Sequence, residues 1–422
     1  MERKLWTRMR ATAVAGAAIA ALALAGCSAG GSAGDGLNEK ATLNYTIWDE
    51  AQKPAMQKIA DAFTKLHPKI SVDISVVGSK DYWTKMQTSV AAGSGADVFW
   101  MNGPNFALYA SNGTLAPLDG NVDTSNYPKA LVDLYSLGGK LYGAPKDFDT
   151  IGVFYNKRLF QEAGVPLPTA GWTWDDFTSD VAKLTNKSKG IYGIAAAPYG
   201  QMTFYNTIYQ AGGEVINADH TKIGYGSPEA AAGVGIWADF IKNGQSPTIQ
   251  QMTDTWPGDS FGSGKVAMFW DGSWGASGYA KSTEGKNIDV APLPKGAAGN
   301  QSVIHGLANV ANAKSKHLAA AKAFAAFASG KVAADIQAST GTVIPAYNGT
   351  QDIWAKSVPT MNLQVFLDEV KTAVPYPISQ NTSAWNAIEA DIIPQILSGK
   401  VSVEAGLADL AAKAQAELDK EK

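Results

Sequence analysis

The sequence predicts an α/β protein of two lobes, and three observations predict it. Between Leu43 and Met101 the apolar residues recur first at strand spacing and then at helix spacing, in the order βαβαβ, which implies a parallel sheet covered by helices. The chain has 422 residues, too many for one ordinary core, so two domains is the working number. The stretch Lys140–Lys157, KLYGAPKDFDTIGVFYNK, joins two acids, Asp147 and Asp149, to an apolar run through Ile151, Val153 and Phe154 that reads as a strand crossing between lobes. Residues two apart on a strand share a face, so the two carboxylates point together. An apolar strand that starts with two acids fits a cleft mouth leading into a core; two surface acids at a loop edge is the competing reading of the same residues.

Composition narrows the partner. With 45% hydrophobic and 17% charged residues the chain has the make-up of a soluble globular protein. Its 35 basic and 38 acidic side chains leave a net charge of −3, which argues for neither nucleic acid nor an anionic membrane surface, and points to a neutral or weakly charged ligand. Tryptophan is abundant, 12 in all, and most stand beside Gly, Pro, Asp or Asn, where rings often line a ligand site.

The N-terminus reads as a signal for export. Arg3, Lys4, Arg8 and Arg10 precede a run of small and apolar residues from Ala11 to Ala25, the layout of a signal peptide over residues 1–26 and too short for a permanent span. Leu24-Ala25-Gly26-Cys27 resembles the bacterial lipobox, in which the Cys becomes the lipid-modified first residue of the mature chain. Residues 27–40, with SAGGSAGDG at Ser28–Gly36, form a flexible tether to the outer face of the cell membrane. Cys27 is the only cysteine, which rules out an internal disulfide, a catalytic thiol in the globular part and a cysteine metal site.

In the globular part, Leu43, Tyr45 and Ile47 alternate along a first strand that ends at Trp48-Asp49. A helix follows from Pro54 through Phe63 to Leu66, then a strand through Ile70, Val72, Ile74 and Val76, and a helix through Trp83, Met86 and Val90. The third strand, Asp97–Met101, runs into Asn102-Gly103-Pro104-Asn105. Ligands of parallel sheets gather at such strand ends, so Trp48, Asp49 and Asn102 are site candidates together with Asp147 and Asp149.

Beyond the first crossing, Thr173 followed by Asp176 reads as a helix cap ahead of Phe177, Val181 and Leu184. Ile191–Ala197 forms a strand ending in Pro198-Tyr199-Gly200, and Pro228–Ile241 a helix. FGSGKV superficially resembles a phosphate loop, but Asp259 and Val266 occupy positions that need Gly and Ser or Thr, which rejects nucleotide binding. Val266, Met268 and Trp270 alternate along a buried strand leading to Asp271-Gly272-Ser273-Trp274-Gly275, where flanking glycines expose the Trp274 indole. Four scattered histidines (67, 220, 305 and 317) make no metal-ligand set, and no cofactor is implied.

The lipobox, the Trp48-Asp49 strand end, Gly93–Leu118 (GSGADVFWMNGPNFALYASNGTLAPL), Lys140–Phe160, Gly171–Phe177 (GWTWDDF), Ser263–Gly275 (SGKVAMFWDGSWG) and Ile288–Gly296 (IDVAPLPKG) together resemble, in order, the extracellular solute-binding proteins of family 1. These are carbohydrate-binding lipoproteins of ABC importers, of the maltose-binding protein type. The resemblance implies a two-lobed periplasmic-binding-protein-like fold of type II, with three hinge crossings and the ligand in the interlobe cleft. Lobe 1 would be 41–148 plus 297–345 and lobe 2 149–296 plus 346–422, each a mostly parallel sheet, with later crossings near Pro292 and Pro294 and at Val343–Ala346.

The same resemblance implies an extracellular mono- or oligosaccharide ligand, held by hydrogen bonds to Asp49, Asn102, Asp147 and Asp149 and by stacking on Trp48, Tyr199 and Trp274. Trp270 is a further contact candidate. Phe204 and Tyr205 compete with Tyr199 for the stacking ring of the second lobe, and Tyr376 or Trp385 would offer another from the helical tail. His305 and Gly306 would lie in a strand and turn beside the ligand. The chain would act as a monomer with the importer's membrane permease subunits, carry no catalytic residues and leave ATP hydrolysis to another chain. A secreted glycoside hydrolase, and a binding protein for a polyol phosphate or uronate with Lys146 at the cleft edge, are the alternatives.

Overall fold

Among the described residues, 37–92 and 95–421 of the computed structural model, eleven strands build two sheets and two more form a separate hairpin; the signal peptide, Cys27 and most of the tether lie outside the described residues. In the first sheet β1 (Ala41–Ile47) pairs in parallel with β2 (Ile70–Val76) over its whole length and with β3 (Val98–Asn102) at Tyr45 and Thr46. The alternating burial of β1 is the expected consequence of one face against the helix Lys53–Leu66, whose Met56, Ile59, Ala60 and Phe63 are buried.

A short hairpin of β4 (Ser136–Leu137) and β5 (Lys140–Leu141) leads into β6 (Gly143–Asp149), buried at every residue. Asp147 and Asp149 therefore end one strand rather than start the next. Thr150 alone separates them from β7 (Ile151–Asn156), which belongs to the second sheet. The crossing is pinned from both sides: Thr150 Oγ1 donates to the Phe366 carbonyl at 2.7 Å and the Ile151 N–H donates to Ser302 Oγ at 2.7 Å.

The second sheet runs β10-β7-β9-β8, from β8 (Tyr192–Ile194), β9 (Val266–Gly272) and β10 (Ile288–Ala291). The chain then returns to the first sheet as β11 (Val303–Ala311), which inserts between β3 and β6, antiparallel to both. β12 (Ile344–Pro345) adds to the outer side of β6 and β13 (Val374–Pro375) joins β11. Both sheets are thus mixed, not mostly parallel, and in the second only β8 and β9 are parallel. The reason is the hinge: strands that lead to a crossing and strands that arrive from one run in opposite directions.

Two further expectations change in detail. The strand expected over Ile191–Ala197 stops at Ile194, because Ser246 Oγ takes the Ala196 N–H (2.9 Å) and Thr203 Oγ1 takes the Ala197 carbonyl (2.9 Å). β11 continues straight through Gly306 without a turn. Gly306 is needed for close approach, since a Cβ there would stand 2.6 Å from the Asp147 carbonyl oxygen and 2.7 Å from the Leu131 side chain.

Each sheet has its own apolar core. Tyr45, Phe63, Phe99, Trp100 and Phe324 are buried in the first, and Phe177, Trp237 and Trp270 in the second, where Trp237 meets Trp270 edge-on at 5.0 Å. Such a pair adds about 0.5–1.5 kcal/mol beyond its buried area. A third cluster joins Phe148 to Phe154, Phe269, Trp354 and Phe366 across the hinge. The capping box forms as the sequence predicts: Asp176 N–H donates to Thr173 Oγ1 (3.3 Å) and Thr173 N–H to Asp176 (2.9 Å), starting the helix Trp174–Leu184. The helices Thr382–Leu397 and Val403–Leu418 pack on each other and on the helix Pro228–Lys242 of the second lobe.

Candidate functional site

A cleft of about 1060 Å³ lies between the sheets, at the ends of β1, β3, β6 and β9. Trp48 and Asp49 follow β1, Asn102 ends β3, Asp147 and Asp149 end β6, and His305 lies on β11; all six line the cleft from the first-sheet side. Asp271 at the end of β9 and Ser273 and Trp274 in the turn after it line the other side.

Each first-sheet group is held by local structure. The Asp49 carboxylate accepts from the Ala51 N–H (2.8 Å) and the Gln52 side-chain amide (2.9 Å). Asn102 caps the helix Gly103–Ser111 through its side-chain oxygen, which accepts from the Asn105 N–H (3.2 Å) and side chain (2.9 Å), leaving its own amide N–H groups for the cleft. His305 Nε2 accepts from the Gly103 N–H (3.2 Å), which fixes a neutral ring protonated at Nδ1, and burial holds its pKa down to about 4. Trp48 stands edge-on to Tyr82 (4.9 Å) and Trp100 (5.1 Å), with Trp83 beside it at 6.0 Å.

The buried acids differ in their partners. Lys146 is fully buried, bonded to Asp147 and to Gln52 Oε1 (3.1 Å), and lies 4.3 Å above the Trp100 ring. It is therefore committed inside the first lobe and is not the cation at the cleft edge that an anionic ligand would need. Burial raises the Asp147 carboxyl, while Lys146 and the Leu307 N–H (3.1 Å) pull it back. Asp149 is pushed well above the carboxylate range by burial and then by the charge of Asp147, opposed by the Gln201 side-chain amide that donates to it. Asp271 is pushed up to about 7 by burial, although Tyr279 and the Gly272 N–H (2.8 Å) donate to it.

The Trp274 indole folds back over Gly272, where a Cβ would come within 1.9 Å of the ring, so only glycine lets the indole lie against the strand end. Ser273 is fully buried and its hydroxyl has no hydrogen-bond partner among the described residues.

Several predicted contacts lie elsewhere. Trp270 is fully buried between Phe177 (5.4 Å) and Trp237 (5.0 Å), because its side of β9 faces the helices of the second lobe. Phe204 and Tyr205 are core residues, the Tyr205 hydroxyl donating to Glu389 (2.8 Å), and Trp385 is buried with its Nε1–H on Ser379 Oγ (3.0 Å). Tyr376 packs behind His305 at 4.9 Å, Tyr199 is exposed against Trp256 (5.6 Å), and Gly306 lies within the sheet; none of the three is among the residues lining the cleft. Trp83, Gln52, Gln201, Trp256, Asp271 and Tyr279 do line it and were not among the predicted contacts. Asp271 carries the same strand-end signal as Asp49, and Trp256, beside Pro257, belongs to the tryptophans next to Gly, Pro, Asp or Asn. Among the described residues no group of three or more His, Cys, Asp or Glu is placed to hold a metal ion.

Known proteins share this architecture. A substrate-binding protein of an ABC transporter from Listeria monocytogenes, solved in complex with cycloalternan, superposes with a TM-score of 0.84 at 25% identity, covering 91% of this chain and 99% of that one. The GacH receptor of Streptomyces glaucescens, solved unliganded and with acarbose, superposes at 0.80 with 26% identity over 91% of this chain and 100% of that one. By sequence, the galactooligosaccharide-binding protein of Bacillus subtilis is 26% identical over 66% of this chain and 66% of its own length. The multiple sugar-binding protein of Streptococcus mutans is 23% identical over 68% of this chain and 70% of its own. Residues 48–335 match the model of the bacterial extracellular solute-binding protein, so the two-lobed chain belongs to that family.

Proposed function

We propose that the chain captures a sugar or short oligosaccharide in this cleft and delivers it to the membrane subunits of an ABC importer. The observation that carries the reading is the pairing of indoles with hydrogen-bonding groups around one cavity: Trp48, Trp83 and Trp274 beside Asp49, Asn102 and Asp149. A pyranose has a face of C–H groups that packs on a flat ring, while its hydroxyls need planar acceptors and donors. The names of the relatives above, a multiple sugar-binding and a galactooligosaccharide-binding protein among them, support the same class.

In this reading lobe 1 is 41–148 plus 297–345 and lobe 2 is 149–296 plus 346–422, and closure about the three crossings buries the ligand. The ligand stabilises the closed form only by its differential affinity for it. The signal peptide over 1–26, lipid at Cys27 and the tether over 27–40 would hold a monomer at the outer face of the membrane. Asp147 and Asp149 end the same strand and Asp147 is tied to Lys146, so these two are not a pair of carboxyl groups flanking a bond as a glycosidase needs.

Tryptophan fluorescence of the mature protein titrated with a panel of neutral and charged sugars, with the samples assayed for cleavage products, tests the proposal. A saturable change with the sugar recovered intact is expected. Accumulating products would overturn it in favour of a hydrolase, and a response to none of the sugars would remove the carbohydrate assignment.

A further inference from the structure

Charge in the cleft is unbalanced. Asp147, Asp149 and Asp271 line it at 2%, 9% and 2% exposure, and Asp49 stands at its edge. Among the described residues Lys146 is the buried ammonium, and it is spent on Asp147; the other lysine lining the cleft, Lys281, is exposed, as is Asp259. Asp149 receives an uncharged amide from Gln201, and Asp271 a phenol, a backbone N–H and the Trp274 side chain; neither has an ion-pair partner among the described residues. The two carboxylates also meet from different sheets. Asp149 ends β6 just before the crossing and Asp271 precedes the turn after β9, and the register Ile151↔Gly272 brings those two strand ends together.

A second observation marks the same place as built for a ligand. Ser273, two residues after Asp271 and fully buried, lines the cleft with a hydroxyl that has no partner among the described residues, and the Trp274 indole follows it. Buried carboxylates are costly when unpaired, and an indole face beside carboxylates is an arrangement that attracts a cation. A neutral sugar supplies hydroxyl donors but no positive charge to draw these buried acids into their ionised form; an anionic sugar opposes that ionisation.

We propose that the ligand of this cleft is a basic sugar, one that carries a protonated amine, with the ammonium held between Asp149 and Asp271 and donating to the Ser273 hydroxyl. This rests on the sugar-binding reading and deepens it. Charge-assisted bonds from the ammonium would replace neutral ones from a hydroxyl at the same ring position.

Titration calorimetry on the mature protein with matched sugars tests this. Each series presents a hydroxyl, an amine and an N-acetyl group on one skeleton: glucose, glucosamine and N-acetylglucosamine; the galactose set; and cellobiose, the glucosamine disaccharide and diacetylchitobiose. In at least one series the amine should bind about tenfold or more tighter than both neutral members, since its bonds to the acids are charge-assisted. That preference should shrink with added salt and vanish in Asp149→Asn, with circular dichroism confirming the fold. If the neutral member binds as tightly as the amine in every series that binds, the inference is overturned and the sugar reading stands. If no member of any series and no neutral oligosaccharide binds, the sugar reading fails and takes this inference with it.

Discussion

The side-chain amide of Gln201, from the second lobe, donates a hydrogen bond to the carboxylate of Asp149, the last residue of β6 in the first sheet. The contact spans the crossing at the bottom of the cleft, and it keeps a neutral donor against an acid that burial pushes strongly toward protonation. Changing Gln201 to Glu retains the shape and sets two carboxyl groups face to face. The new carboxyl replaces the amide donor and makes ionisation of the pair repulsive, so affinity should fall by about tenfold or more. Gln201 is only partly buried, so the melting temperature should move little. Calorimetric affinity and a thermal scan on the same variant separate the two effects.

Trp274 and Gly272 act as one unit. Trp274→Ala removes an aromatic face worth about 1.5–3 kcal/mol when covered, so the dissociation constant should rise by about one to two orders of magnitude. Gly272→Ala should produce a similar loss without touching the indole chemically, because the new methyl would occupy the ring's place. Ligand titration followed by fluorescence checks both, and equal affinity in Gly272→Ala would show that the ring tolerates displacement.

Lys146 opposes the burial that raises the Asp147 carboxyl inside the first lobe. Lys146→Met leaves a carboxyl group with its compensating charge gone, and breaking a buried pair in this way costs about 3–5 kcal/mol. The double change Lys146→Met with Asp147→Asn should recover a substantial part of that loss. Denaturant unfolding of the wild type, the single variant and the double variant closes the comparison.

Glu389 gives the second lobe a pH dependence. It is buried and accepts from the Tyr205 and Tyr225 hydroxyls, and burial raises its pKa from 4.5 to about 7. A group whose folded pKa lies above its unfolded value binds protons better when folded, so its contribution is fully present below about pH 4.5 and is lost as pH rises through about 7. The loss across that window is at most about 3 kcal/mol. Glu389→Gln should flatten the stability profile between those pH values, which unfolding curves at a series of pH values will show.

Local signals in the sequence carried the βαβαβ start, the Thr173 cap and the strand-end acids, because each depends on residues within one or two turns of chain. The face of Trp270 was not legible. Both faces of β9 are buried, so alternation separates its two sides without saying which one meets the cleft. Gln201 escaped notice because a polar residue in an irregular segment has no periodicity to betray it. The antiparallel placement of β11 depends on pairing with strands made far earlier, as with Leu307 and Asp147, 160 positions apart, and short-range patterns carry no record of that.

The position of β11 also governs the order of assembly. β3 and β6 are not neighbours; each waits for the same strand, and contacts such as Gly103 to His305 close over 202 positions. During synthesis the first lobe therefore stays with a gap in its sheet while most of the second lobe is being made. Closing such long loops is entropically slow. A nascent chain built this way keeps its earliest strands unsealed until the segment of β11 has been made.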